Sequence, residues 1–187
     1  YKTMKIAQKL YEGVEIGREI TGLITYMRTD SVRVSKEAQI EARKFIKEHF
    51  GEKYLPKIPP IYKNKKIAQD AHECIRPTSV FRTPEGIKEY LSEDEYLLYK
   101  LIWERFLSSQ MEKAEIETYN ISVKSSDFLL KFSESNLVFD GFTRIYKEDK
   151  EEFKKLKSLI LKEKDKLQVT EIIPNQHFSQ PPPRYTE

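Results

Sequence analysis

SEDEYLLYKLIWERFLSSQMEKAEIETYNISVKS, residues 92–125, holds the change of character that sets the fold. Ser92 followed by Glu95 is a capping box, in which the hydroxyl and the carboxylate each serve a backbone amide of the helix start. Leu97, Leu98, Leu101, Ile102 and Phe106 then recur at helical spacing. This predicts a long amphipathic helix with that set facing the core. Beyond Met111 the pattern switches. ETYNISVKS and the later FLLKFSES alternate polar and apolar residues, as strands do. In NLVFDGFTRIY, Asp140-Gly141 reads as a turn or bulge between two β-rich pieces. KLQVTEIIP reads as another strand, and FKKLKSLI from Phe153 as a short helix between strands.

Upstream of residue 92 the signals are mostly helical. TMKIAQKLYE, residues 3–12, predicts a helix with Met4, Ile6 and Leu10 inward and Gly13 as its stop. GREITGLITYM is β-branched and apolar, a short extended segment ending at the Tyr26 loop. Ser35 is an N-cap for SKEAQIEARKFIKEHF. In that run Ala38, Ala42, Phe45 and Ile46 share a face and Gly51 follows the end. Pro56, Pro59 and Pro60 mark a loop. AQDAHECI, residues 68–75, predicts a short helix that stops before Pro77. Thr83-Pro84 reads as an N-cap with a first-turn proline. The fold class is therefore α+β: a mostly helical domain over residues 1–112, then a β-rich part over 113–187.

The chain has 187 residues, 34% of them charged and 39% hydrophobic, which is a globular rather than a disordered composition. No apolar run approaches the roughly 20 residues that span a bilayer, so no membrane partner is expected. Cys74 is the one cysteine. A lone cysteine excludes an intrachain disulfide and a cysteine-cluster zinc site, and fits a cytoplasmic protein. The net charge of +3 permits an anionic partner without demanding one. The first residue is Tyr rather than Met, so a fragment of a longer protein is expected.

Chemistry concentrates in two stretches. In LITYMRTDS, residues 23–31, Tyr26 lies two residues from Arg28. A phenol with a pKa near 10 needs help to attack at neutral pH. A guanidinium supplies it by stabilising the phenolate, or by holding a phosphate bidentately and neutralising charge that develops at phosphorus. Asp30 and Ser31 are placed to orient that arginine. Composition alone favours the plainer reading, a partly buried tyrosine beside a surface salt bridge. In QDAHECIRPT, residues 69–78, His72 and Arg76 would share a face of the expected helix. That pair suits a phosphodiester, with one fixed cation and one group that donates a hydrogen bond. The plainer reading is a satisfied histidine and an exposed arginine. No second histidine at helical spacing makes a zinc motif. No GxxxxGK[ST] phosphate loop, GxSxG or dinucleotide fingerprint is present.

In combination these stretches resemble the type IA DNA topoisomerases. ITYMRTDS is similar to that family's active-site tyrosine motif, and Met27 fits its bacterial branch. QDAHECIRPT is similar to a second motif, which usually has Ala where this chain has Cys74. LYKLIWERFLSSQM, FDGFTRIY and QHFSQPPPRYTE follow in the family's order. The resemblance implies a winged-helix-like tyrosine domain followed by part of a β-rich arch. It implies ATP-independent relaxation of negatively supercoiled DNA by cleavage of one strand, a 5′-phosphotyrosine, strand passage and resealing. By match, Tyr26 is the nucleophile, Arg28 holds the scissile phosphate, and Asp30 and His72 belong to the same site. Arg76 is carried over as a backbone contact. Apart from the match, single-stranded DNA needs cations along its backbone, and Arg33, Lys63, Lys65 and Lys66 are candidates, with Tyr62 as a stacking surface; the plainer reading of each is solvated surface. No metal ligand is assigned. Mg²⁺ is expected on a Toprim domain that has no counterpart here, and the remaining domains of the same polypeptide are expected partners. The fragment alone is expected to be inactive, and the full enzyme to be cytoplasmic and nucleoid-associated. Two rival readings stand beside this one: a DNA-binding module without chemistry, and a tyrosine recombinase-like strand transferase. In recombinases the tyrosine usually follows the Arg and His residues, whereas here Tyr26 precedes them.

Overall fold

The computed structural model describes residues 1–62, 72–146, 162–182 and 184. It divides into two compact units, Tyr1–Lys155 and Leu156–Glu187. In the first, α1 (Lys2–Glu12) leads into a hairpin of β1 (Val14–Ile16) and β2 (Glu19–Thr21), which pair antiparallel with Val14 opposite Thr21. Then come α2 (Lys36–His49), the 3₁₀ turns Glu52–Tyr54 and Glu85–Tyr90, and α3 (Glu93–Ser109). An antiparallel ribbon of β3 (Glu115–Ser125) and β4 (Phe128–Phe139) follows, and the 3₁₀ turn Gly141–Arg144 is the last element among the described residues. The α+β class holds.

The core explains the helices. In α2 the buried residues are Ala38, Ala42, Phe45 and Ile46, the face expected from their spacing. The Ser35 hydroxyl accepts the Ala38 amide at 3.3 Å. α3 starts at its capping box, with the Ser92 amide donating to Glu95 at 2.9 Å. Its buried face is rotated from the expected one. Tyr99, Trp103, Phe106 and Leu107 are buried, while Leu97 and Leu101 are exposed. The aromatic residues bury more apolar area than the leucines, and their polar ends are satisfied. Tyr99 donates to the Arg82 carbonyl at 2.7 Å, and the Trp103 indole to the Val80 carbonyl at 2.9 Å. α1 packs on α3 through Ala7 and Leu10, and Lys9 meets the buried Glu95 at 2.5 Å. Met4, expected inward, is exposed.

Other expectations need correction. The β1–β2 hairpin was not foreseen, because its strands of three residues are too short to show alternation. The stretch after Asp140 forms a 3₁₀ turn rather than a second strand. Gly141 has φ +46°, and a Cβ there would lie 2.4 Å from the Lys113 carbonyl oxygen. The chain therefore folds back onto the end of α3 instead of continuing the ribbon. Residues 72–75 are not helical, and the rest of the helix expected from residue 68 lies outside the described residues. So does FKKLKSLI. Among the described residues of the second unit, KLQVTEIIP forms no strand and has no pairing partner. That unit shows one tight turn, in which the Asp165 carboxylate accepts the Lys162 amide at 2.9 Å.

Candidate active site

The loop that carries Tyr26 is pinned on both sides. The Leu23 amide donates to the Leu10 carbonyl at 2.7 Å, which ties it to α1. Ile24 bridges Pro77, and Thr78 donates its amide to the Leu23 carbonyl at 2.9 Å. Thr25 donates its amide to Arg76 and accepts the Arg76 amide on its hydroxyl, both at 2.9 Å, while that hydroxyl donates to the Cys74 carbonyl at 2.7 Å. Residues 74–78 therefore lie along residues 22–25 as an irregular antiparallel pair. A helix over 72–75 would have withdrawn those backbone groups into itself, so the pairing replaces it.

Side-chain direction follows from this pairing. Leu23, Ile24 and Met27 are buried and anchor the loop, whereas Tyr26 is 39% exposed and Arg28 is exposed beyond it. The Tyr26 ring lies 5.8 Å from the His72 ring and 5.4 Å from that of Tyr11. Thr29 and Ser31 shape the next turns. Thr29 Oγ1 accepts the Ser31 amide at 3.0 Å, and Ser31 Oγ accepts the Arg33 amide at 3.2 Å.

Tyr26 and His72, 46 positions apart in sequence, are brought together. Arg28 and Asp30 lie on the same loop, are exposed, and form no salt bridge among the described residues. Asp30 therefore does not clamp Arg28. Arg33 is exposed on the following turn, and its carbonyl accepts the Cys74 amide at 2.8 Å. Arg76 is differently placed: its guanidinium binds Glu73 at 2.8 Å and the Pro77 carbonyl at 3.0 Å, and its side chain is 13% exposed. Burial pushes the neighbouring Cys74 thiol up from its ordinary value, so this cysteine is not an activated nucleophile. Lys63, Lys65 and Lys66 lie outside the described residues. Sequence reasoning missed Tyr11, whose signal was its place at the inner end of α1, just ahead of the hairpin that returns to the Tyr26 loop.

Among the described residues, no group of three or more His, Cys, Asp and Glu side chains is gathered to hold a metal ion. Among the described residues, no helix is long and apolar enough to cross a membrane.

An exposed phenol flanked by an imidazole, with a guanidinium two residues on, is suited to attack on a phosphate ester. The sequence profile of the DNA topoisomerase family matches residues 1–187, and the chain belongs to that family. It is similar to DNA topoisomerase 1 of Rickettsia felis, with 50% identity across 100% of this chain and 25% of that protein. The figures for DNA topoisomerase 1 of Rickettsia conorii are the same. A solved structure of full-length topoisomerase I from Thermotoga maritima matches 79% of this chain and 23% of its own, with a TM-score of 0.68 and 44% identity. The chain thus spans about a quarter of the length of the curated relatives it matches.

Proposed function

We propose that this chain is the tyrosine-bearing part of a type IA DNA topoisomerase, which relaxes negatively supercoiled DNA by cutting and resealing one strand. The observation that carries this reading is the pairing of exposed Tyr26 with His72 across the 22–25/74–78 contact. The Tyr26 oxygen attacks the phosphorus of a single strand. A Tyr–O–P bond forms, the P–O3′ bond breaks, and the phenol proton passes to the departing 3′-oxygen. The energy of the broken ester is retained in the 5′-phosphotyrosine, so the 3′-hydroxyl reseals the strand without ATP.

Arg28 holds the scissile phosphate in this reading, and its planar fork matches two phosphate oxygens. His72 donates a hydrogen bond beside the phosphate, and Asp30 positions partners in the loaded site. Arg33, Lys63, Lys65 and Lys66 follow the strand's backbone, whereas the Arg76 guanidinium is engaged by Glu73 and the Pro77 carbonyl and braces its own loop. Residues 1–112 are assigned to the tyrosine domain, winged-helix-like in kind, and 113–187 to part of the arch. Mg²⁺ is assigned to a Toprim domain, and no residue of this chain is given to it. The activity belongs to the whole enzyme, in the cytoplasm with the nucleoid.

The test combines this chain with a separately produced Toprim-containing fragment, Mg²⁺ and single-stranded DNA labelled at either end, and reads the products on a denaturing gel. An adduct that carries only the 3′-side DNA, and is lost in Tyr26→Phe, is expected. An adduct through a 3′-phosphate would point to recombinase-like chemistry. If the two proteins assemble on DNA and give no adduct, the chain is a binding module.

A further inference from the structure

We propose that Tyr11 is a positioning residue for Tyr26: its ring fixes the direction in which the Tyr26 hydroxyl points. This rests on Tyr26 being the nucleophile. Tyr26 leaves the core with 39% of its surface exposed, so buried packing does not choose its rotamer. A phenol on such a loop has several staggered orientations. In-line attack requires an orientation that sets the oxygen opposite the P–O3′ bond.

Two rings limit that choice. Tyr11 meets Tyr26 edge to face, with centroids 5.4 Å apart and planes at 63°. His72 meets it at 5.8 Å and 53°. Among the described residues, Tyr11 and His72 share no ring contact, so each meets Tyr26 independently of the other. Edge-to-face geometry is directional, because the positive edge of one ring seeks the negative face of the other.

The brace is useful only if its own base is fixed, and it is. Leu10, the residue before Tyr11, is fully buried and accepts the Leu23 amide at 2.7 Å. Gly22 lies so close that a Cβ there would stand 2.8 Å from the Tyr11 carbonyl oxygen. The backbones of Tyr11 and of the approach to Tyr26 are therefore in contact, which brings the two part-exposed rings within reach of each other. No charge or proton is asked of Tyr11. The ring is used and its hydroxyl is not.

In the adduct assay, the rate at saturating DNA and the half-saturating DNA concentration are measured for wild type, Tyr11→Phe and Tyr11→Leu. Misplacing a reacting group by about 1 Å can cost on the order of 100-fold. For loss of one of two braces, Tyr11→Leu is expected to slow the saturated rate about tenfold, with half-saturation unchanged and Tyr11→Phe at the wild-type rate. A wild-type rate in Tyr11→Leu overturns the proposal. So does a Tyr11→Phe as slow as Tyr11→Leu, or a change in half-saturation alone, which would make Tyr11 a DNA-binding surface. If Tyr26→Phe still forms the adduct, the nucleophile assignment falls and takes this inference with it. If Tyr26→Phe is dead and Tyr11→Leu is fast, only the Tyr11 proposal falls.

A second readout needs neither DNA nor the other fragment. The three-bond χ1 couplings of Tyr26 in this chain should report one rotamer in wild type and Tyr11→Phe, and an average in Tyr11→Leu. Averaging in the wild type, or none in Tyr11→Leu, counts against the brace.

Discussion

Thr25 and Arg76 exchange backbone hydrogen bonds at 2.9 Å in both directions, although one of the two acceptors is a side chain. The Thr25 amide donates to the Arg76 carbonyl, and the Arg76 amide donates to the Thr25 hydroxyl. A threonine hydroxyl thus stands in for a carbonyl where a regular ladder would need the chain to run on. This lets the strand turn outward at Tyr26 while the His72 segment stays attached. The link joins the two motifs on which the proposed chemistry depends.

Replacing Thr25 by Val keeps the branched shape and removes that hydroxyl. The Arg76 amide and the Cys74 carbonyl each lose a partner. An unsatisfied, partly buried polar group costs about 1–3 kcal/mol. Thr25→Val should lower unfolding stability within that range in a urea titration. It should also shift the His72 ring resonances, since one of the links between the Tyr26 and His72 segments is removed. Unchanged His72 signals would mean that the surviving backbone links, Thr25 to Arg76, Thr78 to Leu23 and Ile24 to Pro77, hold the register without the hydroxyl.

Arg33 and Arg76 should behave differently as cations. Arg33 is exposed, whereas Arg76 is engaged by Glu73 and Pro77. If Arg33 neutralises a phosphate, Arg33→Ala should weaken binding to any single-stranded sequence. It should also reduce the slope of log K against log salt by about one contact, ~0.7 for a single strand. Arg76→Ala should leave that slope alone and destabilise the fold by about 1.5–3 kcal/mol, the range for a charged hydrogen bond. A shallower slope in Arg76→Ala would return it to the DNA interface.

The two regular α-helices with strong local signals were legible in sequence. α2 was given by its Ser35 cap and four apolar positions, and α3 by its capping box. The inward face of α3 was not, because spacing marks Leu97 and Leu101 as equal to Tyr99 and Trp103, while tertiary packing selects the larger rings. Over residues 72–75 the expected helix is absent for a related reason. Helical spacing there says nothing of Arg33 and Thr25, which accept the Cys74 and Arg76 amides from far upstream. The tyrosine motif was legible as chemistry, and His72 as its companion, but Tyr11 was not. Its role depends on a backbone approach at Gly22 that leaves no mark in the local pattern.

Gly22 offers a test of that approach. Adding a methyl group puts a Cβ 2.8 Å from the Tyr11 carbonyl oxygen, a backbone atom that cannot swing away. The end of α1 must then move or the Leu23–Leu10 hydrogen bond must lengthen. Overpacking of this kind costs about 1–3 kcal/mol. Gly22→Ala should lower stability by that order and weaken the nuclear Overhauser contacts between the Tyr11 and Tyr26 rings. Intact contacts with a normal melting curve would show that α1 yields freely, which would remove the fixed base that the brace requires.

At the foot of the β3–β4 ribbon, Tyr54 donates to Asp140 at 2.7 Å and Arg144 to the other carboxylate oxygen at 3.1 Å. Burial pushes the Asp140 carboxyl up, but the hydrogen bonds from Tyr54 and Arg144 outweigh it and hold the group below its ordinary value. The folded carboxylate therefore takes a proton less readily than the unfolded one. Its contribution to stability is whole above the unfolded value, near pH 4, and is lost as pH falls through the lower folded value. Tyr54 moves the other way. Its bond to Asp140 and its burial raise the phenol, so its contribution is whole below about pH 10 and fades as pH rises through the raised value. Unfolding stability of wild type and Asp140→Asn, measured from pH 7 down to 2, should differ most at neutral pH and converge in acid. Because Glu95, also held below its ordinary value, titrates in both proteins, the difference isolates Asp140. A constant offset across that range would mean that the carboxyl's charge contributes nothing and that the ribbon is seated by packing of Tyr54 against Phe139 alone.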